Sequence, residues 1–397
     1  MDRREFSRVA GLGIVGIASA CLDPRTVDGP PLAPAPPILR ASQTLPGGAG
    51  SVAVSPWPNG ADAGVLVSAD DLCPVNLGSP YDFGALWGNA GTSGGPVGDV
   101  ESFVLGLLDT YPLLRFSFKT ITAMRYDPRT NGALDRSYPL SSATDWLARL
   151  QEIQNACPGF VVGWHGHSHY NAQHGGPAEF GGYDPVQTRG ALDAMEAEGG
   201  RSGLRFTRAF RPPGWVLTPT LVEELAARRY VLCDNSRLST WGGVRPSYTR
   251  TAAGNWLFRM GVTFDLTAAQ TFAQGGLFEA HHHLTPPNVN TLTDPAIRDR
   301  LTRFLDTWYR STDPLLAWLS TDEVQRAYSD AATVQWVSSV DGRKVSITIL
   351  NPASLVPGIT WVVTSNVITD VEILANGVKL ALNINERASG LKATLTA

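Results

Sequence analysis

A basic excess is missing. Lys and Arg total 32 against 36 Asp and Glu, for a net charge of −4 and a pI near 6.0, and no stripe of Lys and Arg stands out. That excludes the usual footprint of a nucleic-acid binder. Charged residues are only 17% of the chain and hydrophobic residues 43%, an ordinary globular mixture with a core of useful size. No repeat of fixed period is present, which excludes solenoids and propellers. Cysteine is sparse: Cys21, Cys73, Cys157 and Cys233. If Cys21 carries a modification, at most two of the remaining three can pair within the chain, and spacing does not choose them. Histidine is scarcest in distribution. Seven occur in 397 residues, four within "WHGHSHYNAQH" (164–174) and three in a row at 281–283.

The start of the chain is not fold. After a charged opening, the apolar run Val9–Ala20 is twelve residues long, too short to span a bilayer and suited to a secretory signal. Arg3-Arg4 followed by Glu5-Phe6 resembles the twin-arginine export motif. "ASAC", ending at Cys21, resembles a lipoprotein cleavage box, with a plain signal peptide cut nearby as the alternative. The expectation is an exported protein, periplasmic or at the cell surface, touching membrane only through a lipid anchor at Cys21. Residues 22–60 hold nine prolines and read as an extended linker.

Beyond it, strands and helices alternate. "GVLVSADD" is a buried strand carrying Asp70 and Asp71 at its C-terminal end, and "LLRFSFKTITAM" a second strand. "FVVGWHGHSH", "FTRAFRPPGW", "YVLCDNS" and "GLFEAHHH" are further strands ending in polar clusters. Between them "VESFVLGLLDTY", "SSATDWLARLQEIQNA", "PVQTRGALDAMEAEG" and "TPTLVEELAARR" have helical spacing. This alternation predicts an α/β barrel over residues 61–328, with its site at the C-terminal ends of the strands. From about residue 329 the texture becomes β-rich, with "VDGRK" and "ANGVK" as hairpin turns, predicting a small C-terminal β domain over 329–397.

His165 and His169 are four apart, and the Asp70-Asp71 pair lies on another strand. Two imidazoles and one carboxylate suffice to hold a zinc ion with a fourth position open to water, as hydrolysis requires. Strand alternation predicts that one acid of the pair binds metal while the other approaches from another side. Alternation also sets Glu279, His281 and His283 on one face and His282 on the other. His167 and His174 read as loop histidines, with His167 a reserve ligand if the chain there is extended. Cys73 reads as a buried thiol or a disulfide half. Trp215 and Trp241 are candidates either for a sugar groove or for the core.

In order, "SADD", "HGHSH", "RPPGW", an Asp after a short strand and a strand ending in His together resemble the polysaccharide deacetylase family (carbohydrate esterase family four and related less-characterised deacetylase-like proteins), over roughly residues 64–325. "HGHSH" is nearer to the less-characterised relatives, which carry Gly after the first His. The resemblance implies a distorted (β/α)7 barrel and hydrolysis of N-acetyl or O-acetyl groups on a cell-surface or extracellular polysaccharide, with a divalent metal, Zn2+ first. It implies Asp70 as base, Asp71, His165 and His169 as metal ligands, and Arg211 as the residue orienting the base. Gly214 then supplies an oxyanion N–H beside Trp215, Asp234 tunes the remaining histidine, and His281, with His283 second, is the acid. The alternatives are hydrolysis of another C–N bond on the same fold, or a glycan-binding lipoprotein with a vestigial metal site.

Overall fold

The computed structural model describes residues 42–74, 98–127, 132–234, 241–264, 266–284, 290–387 and 390–396. Cys21, the twin-arginine segment and the chain up to residue 41 lie outside the described residues. The first strands are β1 (Gln43–Thr44) and β2 (Ser51–Ser55). Then come β3 (Ala63–Leu72), β4 (Phe116–Thr120), the β5–β6 hairpin (Ala123–Asp127, Gly132–Pro139), β7 (Phe160–Trp164), β8 (Phe206–Phe210) and β9 (Val231–Asp234). A second hairpin, β10 (Trp241–Arg250) and β11 (Trp256–Phe264), precedes β12 (Leu277–His283) and the short β13 (Leu316–Trp318).

Eight of these strands close a ring in the order β3-β4-β7-β8-β9-β11-β10-β12, and β12 pairs back onto β3 in parallel. Seven run parallel. β10 is antiparallel to both neighbours, which makes eight strands where seven are expected. Helices Gly98–Thr110, Thr144–Ala156, Pro185–Ser202, Pro219–Ala227 and Pro295–Trp308 lie in the connections. The longest opens with Asp184 and Gln187 capping each other reciprocally, a signature legible in "DPVQ".

Side-chain alternation sorts the barrel into layers. On β3, Val65, Val67 and Ala69 join the apolar cluster beneath Val104, Leu150 and Phe304 of three helices. The residues between them face inward, and they change character along the strand: Leu66 in the apolar floor, then Ser68, then Asp70, all buried. β12 repeats the gradient in register, with Leu277 in the floor, and Ser68 opposite His281 and Asp70 opposite His283. The C-terminal end of the barrel is therefore polar inside and the N-terminal end apolar.

After helix Thr321–Thr333 come β14 (Trp336–Asp341), β15 (Lys344–Ile349), β16 (Thr360–Thr364), β17 (Asp370–Ala375), β18 (Val378–Lys379), β19 (Leu382–Arg387) and β20 (Gly390–Leu395). They form two sheets, β1-β2-β16-β20-β19 and β14-β15-β17-β18, around one apolar core. Residues 43–44 and 51–55, expected within the linker, are instead strands of this domain, with β2 antiparallel to β16. Ser51–Ser55 alternates, placing Val52 and Val54 against the sandwich core; the surrounding prolines mask that short signal in the sequence. The chain thus starts the sandwich, builds the barrel and returns to finish the sandwich. Contacts of Gly60 with Thr360 (2.9 Å) and with Lys392 (3.1 Å) set the sandwich beside the start of β3, at the end away from Asp70.

Candidate active site

β3 does not end as a regular strand. Its pairing to β4 shifts between Ala69 and Leu72, and Asp71 sits at φ +68°, the left-handed region that costs a non-glycine residue about 1–2 kcal/mol. The kink breaks the period-two alternation of the strand at this point. Asp70 and Asp71 turn toward the same histidine, with His165 Nε2 3.9 Å from Asp70 Oδ2 and 3.5 Å from Asp71 Oδ1.

β7 ends at Trp164, so the histidines occupy a loop, not the expected strand. Gly166 at φ +81° and His169 at φ +53° turn that loop back on itself. His169 Nε2 thereby lies 3.4 Å from Asp71 Oδ1. These two separations match the edges of a tetrahedron about a zinc ion, roughly 3.3 Å for bond lengths of about 2.05 Å. His165 Nδ1 donates to the carbonyl of Arg211 at 2.8 Å, which leaves Nε2, facing Asp71, as the nitrogen a metal would take. Burial opposes ionisation of Asp71, but His165 and His169 outweigh it and hold that carboxyl well below the usual range. Burial, helped by His165, depresses His169 to about 4, so His169 stands neutral with its lone pair available. Donor set and spacing fit a divalent cation held by Asp71, His165 and His169; burial opposes a charge on His165, but Asp70 and Asp71 raise its pKa, so a cation binding there would displace a proton from Nε2.

A second group, Asp70, His281 and His283, also brings three donor atoms within 4.8 Å of one another. Arg211 separates the two cases. It is fully buried, 3.5 Å from Asp70 Oδ1 through Nη1 and 2.6 Å from Glu279 Oε1 through Nη2. Its Nη1 also lies against His281 Nδ1. Burial works against its charge, but Asp70 and Glu279 raise its pKa, so it is a permanent cation. A second cation about 4 Å away would meet roughly 4 kcal/mol of repulsion per unit charge at an effective dielectric of 20. Asp70 is thus left as a carboxylate without a metal, held by arginine.

The arginine also fixes His281. Nδ1 accepts from Arg211, while Ser68 Oγ, 3.1 Å away, donates to Glu279 Oε1 at 2.5 Å. The proton of the neutral ring then sits on Nε2, 3.5 Å from Asp70 Oδ2. Burial, reinforced by Arg211, pushes the His281 pKa well down. His283 lies one inward layer nearer the mouth, opposite Asp70 in register. Trp215, at φ +62°, stands edge-on to His281 and His283, with centroids 5.4 and 6.3 Å away, and receives the Arg211 guanidinium over its face at 5.4 Å. Gly214, at φ +61°, lies in the same tight turn, where a Cβ would come 3.0 Å from the backbone of Ala178.

Other expectations fare differently. Asp234 closes β9 by its backbone; its side chain lies outside the described residues. Besides Asp70, Arg211 pairs with Glu279, a partnership the sequence hinted at only through the face Glu279 shares with His281. His167 is turned away from the ligand set and bonds Thr122 Oγ1 through Nδ1 at 3.0 Å. His174 is exposed in its loop, and His282 is buried on the outer face of β12. Trp241 belongs with His282 and Phe304, at 5.5 and 5.4 Å, not with Trp215. Among the described residues Cys73, Cys157 and Cys233 are thiols with no disulfide between them. Glu179 belongs to no motif in the sequence. Its Oε2 accepts from the backbone N–H of His167, Ser168 and His169 at 3.0, 3.1 and 3.0 Å, and burial raises its pKa to about 7 against those donors. The available signal was that it is the one carboxylate between Trp164 and Asp184.

No protein-family model matches the chain, and no curated protein matches it. Solved structures do. A candidate polysaccharide deacetylase from Mycobacterium smegmatis aligns at 15% identity and TM-score 0.42, covering 78% of this chain and 100% of its own. A peptidoglycan deacetylase from Bacillus subtilis aligns at 12% identity and TM-score 0.32, covering 67% and 91%. A 4-alpha-glucanotransferase from Thermococcus litoralis aligns at 10% identity and TM-score 0.42, covering 66% and 40%. At these values no reaction carries over, and function rests on the residues of the site itself.

Proposed function

We propose that this protein is a metal-dependent hydrolase that removes acyl groups, N-acetyl first, from an amino-sugar polysaccharide. The observation that carries this reading is the division of two adjacent buried aspartates. Asp71 faces His165 and His169 at tetrahedral spacing, and Asp70 is held apart by Arg211. A site that only bound a cation would have no use for the second acid. Removing that acid from water costs several kcal/mol.

Asp71, His165 and His169 would hold a divalent cation, zinc by donor type, which would supply Lewis acidity and make water a better nucleophile at neutral pH. Asp70 takes the proton from the attacking water, with Arg211, 3.5 Å away, orienting it. Water oxygen bonds to the acyl carbon, the C–N bond breaks, and a histidine returns a proton to the departing nitrogen, giving acetate and amine. We assign that acid to His283 in place of His281. His281 is held neutral beneath Arg211, whereas His283 stands level with Asp70 at the mouth. Trp215 forms a wall against which a sugar ring can rest, and Gly214 remains the proposed oxyanion donor. Export and a lipid anchor at Cys21 belong to the same proposal and rest on the N-terminal sequence.

The test is acetate release from N-acetylated chito-oligosaccharides by zinc-loaded protein. Acetate release that Asp70→Asn abolishes supports the reading; zinc-loaded protein that releases acetate equally with Asn at position 70 defeats it. For the acid, His283→Ala should lower acetate release by more than His281→Ala does, with zinc binding retained in both.

A further inference from the structure

We propose that Glu179 is the positioning residue of the cation site, acting through the backbone of the loop that carries both histidine ligands. The inference rests on the reading that Asp71, His165 and His169 hold a cation. Three consecutive N–H groups, of His167, Ser168 and His169, converge on one carboxylate oxygen, Glu179 Oε2. Such a concave run of amides is an anion nest, and hydrogen bonds to a charged acceptor are the strong ones. Here the acceptor is a side chain of the protein itself.

The nest has a conformational task. His169 needs φ +53° for Nε2 to reach Asp71, and an L-residue leaves that region readily. Its own N–H is the third donor to Glu179, so the carboxylate holds the residue in the conformation the ligand requires. Glu179 is in turn fixed from behind. Its N–H donates to Pro177 O at 3.1 Å, its carbonyl accepts from Asn171 Nδ2 at 3.3 Å, and Asn171 Nδ2 also reaches Ala178 O at 3.0 Å. Asn171 Oδ1 accepts from the N–H of Gln173 and His174 at 2.8 and 3.0 Å. Gly166 completes the fit. A Cβ there would collide with Glu179 Oε2 and come within 2.5 Å of Pro213 Cγ, so the histidine loop, the Glu179 segment and the turn bearing Gly214 and Trp215 close on one another. The loop is preorganised before any cation arrives.

The experiment measures zinc affinity by chelator competition, on folded protein verified by circular dichroism, for wild type, Glu179→Ala and Glu179→Gln. Glu179→Ala should weaken zinc binding about 10–100-fold, the range for residues that orient metal ligands. Glu179→Gln should recover part of the loss, because the amide oxygen can still enter the nest. Folded Glu179→Ala with wild-type affinity overturns the proposal. So does Glu179→Gln as weak as Glu179→Ala, which would make the effect one of charge, not of position. Amide hydrogen exchange on the metal-free wild type needs no variant to fold. His167, Ser168 and His169 should be protected there, and rapid exchange at all three overturns preorganisation by Glu179. Wild type that binds no zinc while the three amides stay protected defeats the cation reading instead.

Discussion

The inside of the barrel and the inside of the sandwich are built on opposite terms. The sandwich core is Val52, Trp336, Val345, Ile347, Trp361, Val363 and Ile373, all apolar and almost fully buried. The upper barrel encloses Asp70, Lys119, Arg211, Glu279 and His281, buried to the same degree. Among the described residues, Lys119 Nζ and Asp70 Oδ2 have no hydrogen-bond partner there. Buried ions cost several kcal/mol each to desolvate, and well-packed apolar replacements are often neutral or stabilising. Stability therefore explains the sandwich but not the buried charges of the barrel, which surround the proposed site. The comparison can be broken from either side.

The largest expected effect is on the barrel. Asp70→Asn keeps the shape and removes the base. Acetate release should fall about 10³-fold, with the fold and zinc binding retained. A variant that loses zinc along with activity would instead place Asp70 among the ligands. Trp361→Ala should do the reverse. Truncating a large buried aromatic costs roughly 3–5 kcal/mol, read as a lower denaturant midpoint. Zinc affinity and turnover per folded molecule should hold, because the sandwich adjoins the end of the barrel away from the site. Zinc itself gives a third, smaller effect. At a hundredfold excess over Kd it should stabilise the chain by about 2.7 kcal/mol, and Asp71→Ala or His169→Ala should erase most of that gain. A zinc-dependent shift that survives both substitutions would mean the cation sits elsewhere.

How much of this was legible depends on whether a feature is local in the chain. The strands ending in acids and histidines announce themselves because each is a short apolar run stopped by polar residues. That is why Asp70, Asp71, His165, His169, Arg211 and the 281–283 run stand out in the sequence. Three things were not legible. The β10–β11 hairpin carries mixed polar and apolar residues, so its closing role in the ring depends on tertiary pairing. β2 is a five-residue alternation inside a proline-rich stretch, and only its partner β16, far along the chain, makes it a strand. The kink at Asp71 breaks the period-two rule at the one place where the rule was used to separate two acids. Sequence periodicity describes regular elements, and the site lies where elements end.

His282 sharpens the comparison most finely, because it puts a titratable ring into an apolar layer. It sits fully buried on the outer face of β12, edge-on to Trp241 at 5.5 Å and tilted against Phe116 at 6.4 Å. Burial is the first cause lowering its pKa from 6.5 to about 3. A group with a depressed cationic pKa is neutral in the folded chain, while the unfolded chain takes up a proton below about 6.5. Stability is then complete above that pH and falls as pH drops from about 6.5 toward 3. At pH 5 the loss amounts to roughly 2 kcal/mol by that linkage. His282→Phe removes the proton site and keeps an aromatic ring among aromatic neighbours. It should leave stability near neutrality within about 1.5 kcal/mol and flatten its fall between pH 6.5 and 5. The measurement is a series of denaturant midpoints across that interval for both proteins. Parallel curves would mean that the acid sensitivity of the barrel comes from its inner face, not from this outer layer.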